Sequence, residues 1–80
     1  MEEYKKRLLI EFKELNDKCE KLKSFIQSNP IFEKQLLGIQ ILMKNQLVFM
    51  EGYRQTLYDR INLIISESEI KEFDNEYKGN

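Results

Sequence analysis

Eighty residues hold one domain at most, and a chain this short buries only about 60% of the surface it exposes when unfolded. A single cysteine, Cys19, and the lack of histidine exclude an internal disulfide and a Cys/His zinc site within one chain. A net charge of −1 provides no basic stripe for DNA or RNA.

The first predicted element is a helix from about Glu3 to Gln27. Leu8, Phe12, Leu15, Cys19, Leu22 and Ile26 follow one another at spacings of 4, 3, 4, 3 and 4, a heptad seam along one face. Glu11, Lys13, Glu14, Asp17, Lys18, Glu20 and Lys21 form the solvated face opposite. Glu14 with Lys18 and Asp17 with Lys21 are favourable i,i+4 pairs, each worth about 0.2–0.5 kcal/mol. Cys19 lies on the seam and reads as a small buried hydrophobe rather than a reactive thiol.

Ser28-Asn29-Pro30 is the one strong break. Proline suits the first turn of a new helix and Asn29 is a natural N-cap for it. So short a connection makes the two helices antiparallel neighbours. The second helix is expected from Ile31 or Gln35 to Ile65, with Gly38 marking either a bend or a later true start. Leu36, Met43, Leu47, Met50, Leu57, Ile61 and Ile64 give it one apolar face, widened by Ile39 and Tyr53. Leu37, Ile41, Val48 and Phe49 point elsewhere. One partner helix cannot cover both sets, so the hairpin is expected to expose a large apolar patch and to complete its core in a homo-oligomer. The plainer alternative has residues 67–80 folding back over that patch.

The domain reading is therefore a helical hairpin over residues 1–66, then an acidic C-terminal tail or short helix over 67–80, in an all-α fold. Residues 1–66 carry 11 Lys/Arg against 9 Asp/Glu, and residues 67–80 carry 2 against 5. Ser66 and Glu69 fit a capping box, and Ile70, Phe73 and Tyr77 follow at helical spacing. Lys78-Gly79-Asn80 is expected to fray. No apolar run approaches the roughly 18 residues of a membrane span, and Met1-Glu2-Glu3 is acidic where a signal peptide would be basic. The unpaired thiol fits a reducing interior, and the expected location is the cytoplasm.

Little here points to catalysis. Without histidine there is no usual base for a nucleophile, and Gly38, Gly52 and Gly79 form no phosphate loop. The expectation is a non-enzyme that needs no cofactor and no metal. Two clusters combine aromatic and cationic residues instead: Tyr4, Lys5, Lys6 and Arg7, and Tyr53, Arg54, Tyr58 and Arg60. Arginine forks match phosphate geometry and tyrosine rings stack on bases. In an antiparallel hairpin both clusters fall towards one end and would suit a small phosphorylated nucleotide. The plainer reading places Tyr53 on the core face and pairs Arg54 and Arg60 with carboxylates such as Glu51 and Asp59.

Two stretches carry a family resemblance. One is Glu3-Tyr4-Lys5-Lys6-Arg7-Leu8-Leu9, running on into Lys13-Glu14-Leu15 and Glu20-Lys21-Leu22. The other is Gln46-Leu47-Val48-Phe49-Met50-Glu51-Gly52-Tyr53, running on into Leu57-Tyr58-Asp59-Arg60-Ile61. Over residues 3–64 the chain resembles the helical-hairpin phage sponges that counter CBASS and Thoeris immunity. The resemblance implies a protein that sequesters cyclic nucleotides or cyclic ADP-ribose variants without cleaving them. Its pockets would form between protomers of a homo-oligomer, with a hexamer as a candidate assembly. Carried over residue by residue, it implies ligand-binding roles for Tyr4, Arg7, Lys13, Tyr53 and Arg60. The alternative is a helical-hairpin module that docks an apolar face on another protein and takes no small ligand. Neither reading involves DNA, RNA or a membrane.

Overall fold

The computed structural model describes residues 1–78, apart from the side chain of Lys78; the fraying expected of Gly79 and Asn80 lies outside the described residues. Those residues form four helices: α1 Glu3–Ser28, α2 Pro30–Glu33, α3 Leu37–Ile64 and α4 Glu67–Lys78. None of them is long and apolar enough to cross a membrane.

α1 runs without interruption because no Gly or Pro falls within it. It stops at Asn29, whose extended backbone opens α2 and whose Oδ1 accepts from the Ile31 N–H at 2.9 Å. α2 is a single turn that sets Phe32 edge-on against Phe25, ring centroids 6.2 Å apart. The long second helix expected from Ile31 or Gln35 is thus two helices. The break at Lys34–Leu36 is held by Gln40, whose Nε2 donates to the carbonyls of Glu33 (3.2 Å) and Gln35 (3.0 Å). Gly38 marks the later true start, sitting in the first turn of α3.

α1 and α3 pack side by side and in opposite senses. Phe12 meets Tyr58 and Asn16 meets Arg54, so each step forward on α1 matches a step back on α3. Leu8, Leu9, Leu15, Cys19, Leu57, Ile61, Ile65 and Phe73 form the buried cluster. Cys19 is buried within it. Leu9 lies off the heptad seam, and Ile64 and Tyr53, expected on the inner face of the second helix, are exposed. α4 docks beside Leu9 and Ile61, and its Phe73 joins them in the core.

α4 begins with the expected capping box. Ser66 Oγ accepts from the Glu69 N–H at 3.2 Å, and Glu69 Oε1 accepts from the Ser66 N–H at 3.1 Å. Phe73 then enters the core, and three lysines of α1 meet three carboxylates of α4: Lys5–Glu69 (3.2 Å), Lys6–Glu76 (3.7 Å) and Lys13–Asp74 (3.0 Å). The tail does fold back, but onto the first half of α1 and the end of α3. It leaves the apolar first half of α3 uncovered, where Leu37 is 71% exposed, Val48 64% and Phe49 76%.

The surplus surface is measurable. A compact chain of 9.7 kDa has an accessible surface of about 5,100 Å², whereas this one has 6,025 Å². The excess of about 900 Å² is close to one partner's share of a standard protein interface, about 800 Å². With dimensions of 46 × 25 × 16 Å, the molecule is elongated.

Leu57 is completely buried between α1 and α3, and Leu57→Ala should cost about 2–5 kcal/mol of unfolding free energy; chemical denaturation followed by circular dichroism measures it. Docking of α4 should also be sensitive to acid. The Ser66 N–H and the Lys5 ammonium hold the Glu69 carboxyl below its ordinary value of 4.5. Its contribution is therefore full above that value and lost as the pH falls through the lowered one. Lys5, raised above 10.5 by its bond to Glu69, contributes below 10.5 and loses that contribution only as the pH rises through its raised value. Amide resonances of α4 followed through an acid titration should report its loosening only as the pH falls through that lowered value, and Glu69→Gln should loosen α4 already at neutral pH.

Candidate functional site

Where α1, α3 and α4 meet, two recesses lie end to end and share the Phe12–Tyr58 ring pair, whose centroids are 6.1 Å apart and whose planes are inclined by 41°. The first, of 170 Å³, is lined by Phe12, Asn16, Arg54, Gln55 and Tyr58. The second, of 210 Å³, has Leu9, Ile61 and Ile70 as its apolar wall and Lys13, Asn62 and Asp74 as polar lining. A larger hollow of 530 Å³ near Ser28-Asn29-Pro30 is open to solvent and has a single cation, Lys21, in its lining. The groove across α1 and α3 is therefore the better candidate, with a cation in each recess, aromatic walls and amides at the rim.

Each cation in the groove is held differently. Arg54 Nη1 donates to Asn16 Oδ1 and Glu20 Oε1, both at 3.0 Å, and Nη2 lies 3.6 Å from Glu51, so the guanidinium ties α3 to α1. Lys13 lies 3.0 Å from Asp74 and sits over the stacked rings of Phe73 and Tyr77, at 5.8 and 5.6 Å from their centroids. Among the described residues no group of three His, Cys, Asp or Glu side chains is placed to hold a metal ion.

Of the five residues singled out by resemblance, the groove contains Lys13 alone. Tyr4 and Tyr53 are about half exposed. The Arg7 side chain is 78% exposed and makes a long 3.9 Å contact to Glu3, and Arg60 is exposed. The α1–α3 register places Arg60 at the level between Arg7 and Lys13. Tyr53 falls level with Asp17, 13 positions along from Tyr4, which is a separation of about 20 Å at 1.5 Å per residue. One chain therefore sets Arg7, Lys13 and Arg60 at similar levels along one half of its length, with Lys13 alone in the groove, and leaves Tyr53 outside that half.

Arg54 and Tyr58 line the groove in place of Tyr53 and Arg60. They belong to the same aromatic and cationic cluster, and the sequence signal for them was available. Both flank Leu57, the deepest residue of α3, at −3 and +1, whereas Tyr53 sits at −4 and is half exposed.

Residues 2–63 match the family model described as Sequestin. The chain belongs to the Sequestin family. The name denotes phage anti-defence sponges for cyclic nucleotides, the group that residues 3–64 resemble. Sequestins are sequestering binding proteins. No curated protein and no solved structure matches the chain. In this Sequestin the family match covers α1, α2 and nearly all of α3 and stops at Leu63, so α4 lies wholly outside it.

Arg54→Ala removes two charge-assisted bonds from a side chain that is only 21% exposed, and should cost about 1 kcal/mol, a fall in melting temperature of about 4–8 °C. Differential scanning calorimetry of the variant measures that shift.

Proposed function

We propose that this Sequestin is a non-enzymatic sponge. It binds a cyclic nucleotide or a cyclic ADP-ribose-type immune signal in the bacterial cytoplasm, holds it intact, and so blocks antiviral defence. The observation that carries the reading is family membership over residues 2–63. The arrangement of charge supports it. Arg7 and Arg60 lie exposed along the half of the molecule that also holds Lys13, and arginine forks bind phosphate oxygens two at a time. Tyr4 and Tyr53, each half exposed, offer ring faces for a base.

In this reading the ligand pocket is completed by further copies of the chain. The apolar residues left open on α3, Leu37, Ile41, Leu42, Val48 and Phe49, are the contact surface. The separation of Tyr53 from Tyr4 along one chain fits a pocket that takes the first cluster from one protomer and the second from another. A homo-oligomer, with a hexamer as the candidate assembly, satisfies both requirements.

The same apolar surface favours a second reading, a protein-interaction module with no small ligand. The two readings differ in which substitutions matter. A sponge fails when Arg7 or Tyr53 is changed. A docking module fails when Ile41 or Phe49 is changed, with Arg7 dispensable.

Titration calorimetry against cyclic di- and trinucleotides and cyclic ADP-ribose isomers should give saturable heat with at least one of them, and the bound compound should be recovered unaltered on denaturation. Silence across the whole panel would remove the sponge reading. Because Arg7 is so exposed, Arg7→Ala should weaken binding by about tenfold or more, the scale of one charge-assisted bond, with the melting temperature unchanged.

A further inference from the structure

We infer that Lys13 is a binding site for a phosphate-class anion which α4, in the ligand-free chain, occupies with its own carboxylate, Asp74. The inference rests on the reading of Lys13 as an anion contact and goes beyond it by assigning α4 a role. Three observations carry it. The Lys13–Asp74 pair, at 3.0 Å, is the shortest of the three that bind α4 to α1. Asp74 and Ile70 form one wall of the 210 Å³ recess that holds Lys13, so α4 stands directly in the space beside the cation. And α4 lies outside the family-matched segment, which covers α1 and nearly all of α3.

The chemistry is an exchange of like for like. Nζ of Lys13 is a three-donor ammonium, and its position above the Phe73 and Tyr77 rings orients it without neutralising it. An aspartate oxygen and a phosphate oxygen make the same kind of charge-assisted bond to it. Both partners are more than a third exposed, at 37% and 38%, so the pair is well solvated and weak, and a ligand phosphate that also engages another cation outcompetes a lone carboxylate. The helix need not leave as a whole, because Phe73 remains in the core and the Lys5–Glu69 pair and the capping box hold its first turn. Only the part of α4 after Phe73 has to shift.

Inorganic pyrophosphate is the probe, followed by the backbone amide NMR signals of Phe12, Asn62 and Ile70 around the recess in the full-length protein. It reports on this site whether or not a cyclic nucleotide binds elsewhere. Asp74→Asn should tighten pyrophosphate binding by about two- to fivefold, the range of an exposed ion pair. Adding Lys13→Ala should cancel the gain. Glu76→Gln removes the same charge from α4 at the Lys6 pair and should leave the affinity at Lys13 unchanged. Unchanged or weaker binding in Asp74→Asn overturns the proposal, as does a gain that survives Lys13→Ala or that Glu76→Gln reproduces. Full protection by pyrophosphate at Lys13 with no response to any cyclic nucleotide would uphold the site and reject the sponge.

Discussion

One constraint governs this molecule: α3 is apolar around more of its circumference than one neighbouring helix can cover. In a layer 16 Å thick, each long helix has a single long neighbour. α1 takes the side of α3 that holds Leu57 and Ile61, and these two disappear completely from solvent. Nothing within the chain does the same for Leu37, Leu42, Val48 and Phe49, which are spread over the first half of α3. The consequence is an accessible surface larger than the mass requires, by an amount similar to the footprint of one partner.

α4 solves the problem at one end only. With Phe73 as an anchor and three carboxylates set against Lys5, Lys6 and Lys13, it closes the half of the molecule where α1 starts and α3 finishes. Its arrival explains details that the two long helices alone would not. Leu9, one position off the seam, is buried because α4 lies over it. Lys13, on the solvated face of α1, becomes the centre of an aromatic and acidic cluster. The energetic weight rests on the apolar anchor. The exposed ion pairs fix direction and register, since such pairs each contribute little to stability, while burying an aromatic side chain contributes on the order of 2 kcal/mol.

Local features of this structure were legible in the sequence. Asn29 before Pro30 specified a cap and a new helix start, and Ser66 with Glu69 specified the beginning of α4. Both are short-range hydrogen bonds between residues two or three positions apart, so the sequence neighbourhood contains all the information. The break at Lys34–Leu36 was not legible, because it is made by Gln40 reaching back to carbonyls five and seven positions away, with no proline or glycine at the gap itself. Of the cluster Tyr53-Arg54 and Tyr58-Asp59-Arg60, Arg54 and Tyr58 face the groove, and which members do so depends on how α3 is set against its neighbours. Periodicity along one helix cannot report where a third helix will dock.

The placement of α4 also sorts the cations by type. Its carboxylates meet three lysines of α1 and none of the arginines. Arg54 is bound internally by Asn16 and Glu20, while Arg7 and Arg60 remain in solvent. Lysine, a compact and strongly hydrated charge, suits a pairing that must hold loosely and exchange. Arginine, with its planar fork, suits a ligand presenting several phosphate oxygens at once. A chain whose role was only to fold would gain from pairing its arginines, as it does at position 54. Arg7 keeps only a long 3.9 Å contact to Glu3, so its removal should leave stability unchanged, whereas removal of Arg54 takes with it two bonds between α1 and α3.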